Sequence, residues 1–194
     1  MAMPANIFSP VSVPGNFLAP DDRVRTDLTI DYELGGIASG DPSQGLQVQV
    51  WETRLNAGSI QVSIEDAESW TTVTSDTGIT EISLAFDQNM RPAAAYVAAG
   101  VVKLYWYDAN AAAFVTTTYA GASSPVVMLD DKRPMEIDLS DILLFYVRAG
   151  RVYHRRQRDR YSVEYDLAAM PSGTTRVRRA GMTDANRIQL ELGN

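Results

Sequence analysis

The sequence predicts an all-β protein: three repeated four-stranded antiparallel meanders, in a propeller-like or β-prism-like array, behind an extended N-terminal arm. Three observations predict it. An Ala-Gly pair recurs at 57–58, 99–100 and 149–150, each between two strand-like runs. Apolar and polar residues alternate with period two around these pairs, the pattern of half-buried strands. Helix signals are weak; the alanine-rich stretch 109–113 is too short and lies between strand patterns. A recurrence every 40 to 50 residues or so marks a repeat architecture, and four strands per repeat is the blade pattern of propellers.

Residues 1–26 hold Pro4, Pro10, Pro14 and Pro20, with Phe8, Phe17 and Leu18 scattered among them. Proline fixes φ and removes a donor, so this segment reads as an extended arm that contacts something outside the meanders. The domain proper spans 27–194. Its first meander, 27–74, opens on alternating Leu28, Ile30, Tyr32 and Leu34, and Gly35-Gly36 reads as a turn. Strands follow at 46–54, 59–65 and 69–74. The second meander, 80–119, places strands at 80–87, 93–98, 101–108 and 113–119. The third, 125–167, places them at 125–130, 141–148, 151–158 and 160–167. Glycine at each central hairpin tip is expected, because tight hairpins need positive φ. The second and third copies share an upstream turn, Asp87…Arg91-Pro92 and Asp130…Arg133-Pro134. After a tail holding Pro171-Ser172-Gly173, a strand at 187–192 is positioned to close the domain on the first meander. Trp51, Trp70 and Trp106 occupy strand positions and read as core anchors.

Composition bounds the function. The chain has 194 residues, 45% of them apolar, and no cysteine, so its core forms without disulfides. No charged-then-apolar leader opens it, and no apolar run is long enough to span a membrane. The net charge is −7 and unevenly placed. Residues 1–140 carry 7 Lys and Arg against 18 Asp and Glu; residues 141–194 carry 10 against 6. Overall acidity argues against bulk nucleic-acid binding. The asymmetry points to contact between unlike faces of neighbouring copies.

Few residues invite chemistry. His154 is the only histidine; it alternates with Arg156, Arg158 and Arg160 and reads as a polar-face residue. Asp130, Asp131, Asp138 and Asp141 form an acidic stretch that lacks EF-hand spacing. Ser75-Asp76-Thr77-Gly78 reads as an ordinary turn. No phosphate-binding, zinc-protease or nucleophile-elbow motif occurs, so no catalytic residue, cofactor or metal is assigned. The strongest local anomaly is Arg148, Arg151, Arg155, Arg156, Arg158 and Arg160, six guanidiniums in 13 residues. Such charges repel unless acids pair them, and the charge split points to acids of an adjoining subunit. A plain solvated face and a nucleic-acid or phosphate grip by arginines interleaved with tyrosines are the alternatives. With Phe8, Phe17 and Leu18 of the arm, these arginines form the expected interface.

The stretches 31–54, 128–134, 141–165 and 181–192 together resemble virion structural proteins from the tail region of tailed bacteriophages. The resemblance implies a subunit of a tail, tail-tip or neck assembly. That subunit would be made in the host cytoplasm and would pack as a homo-oligomeric ring, a trimer or a hexamer, against other tail proteins. It implies no active-site residues. The alternative is a receptor- or glycan-binding module at a tail tip.

Overall fold

The computed structural model describes residues 32–39, 48–56, 58–64, 69–87, 89, 91–130, 140–183 and 187–194. The arm with Phe8, Phe17 and Leu18, the strand start at 27–31, and Asp131 and Asp138 lie outside the described residues. The chain is all-β. Among the described residues there are fourteen strands: β1 (Tyr32–Ser39), β2 (Val48–Asn56), β3 (Ser59–Ile64), β4 (Thr71–Thr72), β5 (Ile79–Phe86), β6 (Pro92–Ala98), β7 (Val101–Asp108), β8 (Ala113–Tyr119), β9 (Ser123–Asp130), β10 (Asp141–Arg148), β11 (Arg151–Arg156), β12 (Tyr165–Ala169), β13 (Arg176–Met182) and β14 (Ile188–Gly193). They form four antiparallel sheets: β1–β4, β5–β8 and β9–β12, each in chain order, and the hairpin β13–β14.

The hairpin tips follow from local sterics. Ala99 and Gly100 have φ of 50° and 76°, and Ala149 and Gly150 have 49° and 71°. Positive φ at both central residues is the primed turn whose twist matches the flanking strands. It closes the ladders at Ala98↔Val101 and Arg148↔Arg151. Alanine in the left-handed region costs about 1–2 kcal/mol, which burial of the strands on either side offsets.

Successive sheets pack face to face around three cores. Leu55, Ile60 and Val62 of the first sheet meet Ile82, Leu84 and Tyr96 of the second. Ala93, Ala95, Leu104 and Trp106 on the opposite face of the second sheet meet Ile142, Leu144 and Tyr146 of the third. Phe145 and Val147, on the third sheet's other face, meet Val177 and Ala180 of the hairpin. Strand β6 is therefore buried along its whole length. Its four alanines allow sheets to approach from both sides. The first strands of the sheets lie against one another, β1 by β5, β5 by β9 and β9 by β13. The Ser83 hydroxyl of β5 accepts the Val127 amide of β9 at 3.0 Å, a hydrogen bond from sheet to sheet inside the second core.

Several elements differ from expectation. Gly35 and Gly36 lie within β1, opposite Glu52 and Trp51, because the ladder runs through them unbroken. Residues 157–161 are not strand: Gln157–Asp159 is a 3-10 turn, and Arg160 and Tyr161 have φ of 52° and 55°. The Tyr161 ring, 1% exposed, is packed edge-on against Trp106 at 4.9 Å, and this burial holds the strained turn. The strand at 187–192 does not close on the first sheet. It pairs with β13, a strand hidden in the sequence by four arginines in 176–187 and by a bulge between Val177 and Arg179. Trp106 is buried, whereas Trp70 is half-buried beneath the Arg54 guanidinium at 4.0 Å.

Candidate interaction surface

The six arginines run along one hairpin, from Arg148 and Arg151 beside the Ala149-Gly150 tip to Arg158 and Arg160 past the far end of β11. Strand alternation divides β11. Arg155 shares a face with Leu144, toward the second sheet, while Arg156 and His154 share the other face with Leu143 and Phe145.

Each arginine has an acid within the chain. Arg148 pairs with Glu164, and Arg155 stands 3.7 Å from the same carboxylate. Arg151 forks onto Asp166 at 2.8–3.0 Å. Arg156 meets Asp159 at 2.7 Å. Arg158 pairs with Asp141, and Arg160 with Asp108 of the second sheet. The acids expected from an adjoining subunit are thus supplied by strands, turns and a neighbouring sheet of the same molecule. Only the tertiary fold brings Asp108 and Arg160, 52 residues apart, into contact.

Arg155 is the most enclosed of the six. Its Nε donates to the Tyr146 hydroxyl at 2.8 Å and its Nη1 to the Tyr161 carbonyl at 2.7 Å. Its guanidinium lies 5.0 Å from the Tyr119 ring centroid. The Tyr146 hydroxyl donates in turn to Glu164. Burial pushes the Tyr146 phenol up to about 12, with the Glu164 carboxylate adding to the shift. Burial likewise pushes the Tyr119 phenol well up, and its hydroxyl has no partner among the described residues. Glu164 was not singled out in the sequence, where it sits alone in Ser-Val-Glu-Tyr; its role depends on a turn placing it over β10.

His154 is not on a polar face. It is half-buried, stacked 4.8 Å from Tyr165 and 5.9 Å from Phe145. Burial, with Arg156 adding to it, holds the imidazole below its usual range. Its Nδ1 is buried without a partner among the described residues.

A cleft of about 270 Å³ opens at the end opposite the hairpin tips, between the second and third sheets. Asp87, Arg91, Tyr107 and Asn110 line it from one sheet, Asp141 and Arg158 from the other. Asp87 accepts the amides of Asn89 and Arg91 at 2.8 and 2.9 Å, and burial raises its carboxyl above the usual range. Arg160 holds the Asp108 carboxyl below it. Arg91 covers one face of Tyr107 at 3.8 Å. Acids and arginines here cancel one another. Among the described residues no cluster of three or more His, Cys, Asp or Glu is placed to hold a metal ion.

The turn containing Asp76 carries more than its sequence suggested. Asp76 accepts the Tyr96 hydroxyl and the Lys103 ammonium, both at 2.7 Å. This ties the segment between the first two sheets to the second sheet, and Lys103 holds the carboxyl below its usual range. No described helix is long and apolar enough to cross a membrane. Compared with protein-family models, curated proteins and solved structures, the chain matches none.

Proposed function

We propose that this chain is a structural subunit of a bacteriophage tail, tail-tip or neck assembly, acting by packing against copies of itself and other virion proteins. The observation that carries the reading is the stack of sheets joined through three successive cores. Buried surface there is spent on holding sheets together. Among the described residues no acid orients the lone histidine through its Nδ1, and no nucleophile motif is present in the sequence, so the proposed role is not catalytic. The resemblance of 31–54, 128–134, 141–165 and 181–192 to tail-region proteins names the assembly. On this reading the three four-stranded sheets are copies of one blade, fanned about their contacting first strands as an open, propeller-like array with a partial fourth unit. Antibody labelling of tailed-phage particles that encode the chain, viewed by electron microscopy, tests it. Label confined to the tail or neck is the expected result. Particles without label overturn it.

A second reading, a receptor- or glycan-contacting module at a tail tip, draws on the cleft. Its charges cancel and amides such as Asn110 line it, which suits a neutral polyhydroxyl ligand better than an ion. Saturable glycan-array binding that Asn110→Ala abolishes would favour this reading.

A further inference from the structure

Exposed sheet edges invite pairing, and proteins blunt them with charge, proline, bulges or shortness. The described edges here are nearly all blunted. β4 has two residues; the pairings of β5, β9, β12 and β13 are broken by bulges; β14 carries Glu191 and β1 carries Glu33. Strand β8 is the exception. Its seven residues, Ala-Phe-Val-Thr-Thr-Thr-Tyr, contain no charge, proline or glycine, and its register with β7 is unbroken from Val102↔Tyr119 to Asp108↔Ala113. Phe114, Thr116 and Thr118 are exposed, and no described strand pairs with the far edge.

The N-terminal segment has matching chemistry. Residues 1–20 contain no charged side chain, and their prolines stand at 4, 10, 14 and 20. All three successive separations are even. In an extended strand successive amides point to opposite edges, so every missing N–H falls on one edge and the other keeps its donors at Ser9, Val11, Val13 and Gly15. Such a segment pairs on one side only and ends a sheet rather than extending it, which is how proline is tolerated in edge strands.

We infer that residues 9–15 of one copy add to the β8 edge of a neighbouring copy as a fifth, terminating strand of its second sheet. The inference rests on the structural-subunit reading for its choice of a neighbouring copy. Backbone hydrogen bonds supply the affinity in this mode of recognition, and side chains the register. Neither partner brings a charge to the joint, and the proline-bearing edge of the arm prevents open-ended strand addition.

The test uses the full chain. In analytical ultracentrifugation the wild type associates. Val13→Pro removes a donor from the pairing edge and weakens association by about tenfold or more. Ser12→Pro, on the edge already lacking donors, changes it by less than about twofold. The chain has no cysteine, so mixing separately purified Val11→Cys, Ser12→Cys and Val13→Cys variants with Thr116→Cys gives disulfide-linked pairs whose yield alternates with period two. Equal effects of the two prolines, absence of those pairs, or protection from hydrogen exchange, in a monomer, of the β8 amides that face away from β7 would each overturn the exchange. A monomeric protein still found in tails would leave the structural-subunit reading standing. Arm exchange in a chain absent from particles would do the reverse.

Discussion

The second and third sheets carry the same hairpin, Tyr96-Val97-Ala98-Ala99-Gly100 and Tyr146-Val147-Arg148-Ala149-Gly150. In both, the tyrosine lies three residues before the left-handed alanine, is fully buried, and points toward the preceding sheet. In both, its hydroxyl donates to a carboxylate that also holds a cation. The acid differs. Asp76 comes from the turn before the second sheet and meets Lys103 near solvent, with side chains 29% and 25% exposed. Glu164 comes from the turn inside the third sheet and meets Arg155, whose side chain is 13% exposed. One backbone solution thus supports two electrostatic regimes, because the depth of the acid–cation pair is set by the segment that delivers the acid.

Removing the acids is the strongest way to separate the two. Glu164→Ala strands Arg155 in a low-dielectric site and is expected to cost about 3 kcal/mol or more. Asp76→Ala exposes a lysine that water can solvate and is expected to cost about 1 kcal/mol. Urea denaturation of both variants measures the gap; equal losses would make the two sites electrostatically alike.

Tyr146→Phe and Tyr96→Phe should each cost about 1–2 kcal/mol, the loss of a buried hydroxyl with its partners left behind. The difference should appear in double mutants. Tyr146→Phe with Glu164→Ala should depart from additivity by about 1 kcal/mol, since both removals break one network. Tyr96→Phe with Asp76→Ala should come closer to additive. The same tyrosines make an alkaline test. Burial pushes both phenols up to about 12. The folded state thus favours the neutral form, and its advantage is complete below the ordinary phenol value of 10.0 and lost as pH climbs above it. Ultraviolet titration should show both rings ionising late.

At acid pH the third sheet is distinguished by His154. Its folded value lies below the ordinary imidazole value of 6.5, so the unfolded chain takes up the proton first. Stability is complete above 6.5 and declines as pH falls below it, levelling off beneath the folded value. His154→Phe should flatten that decline, read as melting temperature against pH. Asp87 has the opposite sign: its raised value makes its contribution larger in acid and smaller as pH rises through it.

The smallest effects belong to the hairpin tips. Ala99→Gly and Ala149→Gly relieve left-handed alanine but add freedom to the unfolded chain, so each should shift stability by less than about 1 kcal/mol. Gly100→Val and Gly150→Val should cost more, by a similar amount in both sheets. Unequal costs would show that the two turns differ in strain.

Strand content and the central hairpins were legible because they depend on neighbours in sequence. Alternation of Ile60 and Val62, or of Ile82 and Leu84, and a glycine at each tip are local facts. The fully buried run of β6 was legible as strand for the same reason. What failed was also local in origin. Gly35-Gly36 lacks any partner that forces a turn, and Tyr161 occupies a conformation that its side chain disfavours until a distant Trp106 covers it. His154 looked polar because its sequence neighbours are arginines. It is half-buried because the strand places it over Phe145 and beside Tyr165.

The arginine cluster marks the boundary most clearly. Composition alone determined that six like charges between 148 and 160 required acids nearby, since repulsion at that density is costly without them. Asp159 is within reach of Arg156 by sequence alone, but only the tertiary structure decided the other acids: Glu164 from the turn before β12, Asp166 across the sheet, Asp141 at the start of β10, Asp108 from another sheet. Coulomb attraction depends on distance in space, and separation along the chain does not encode it.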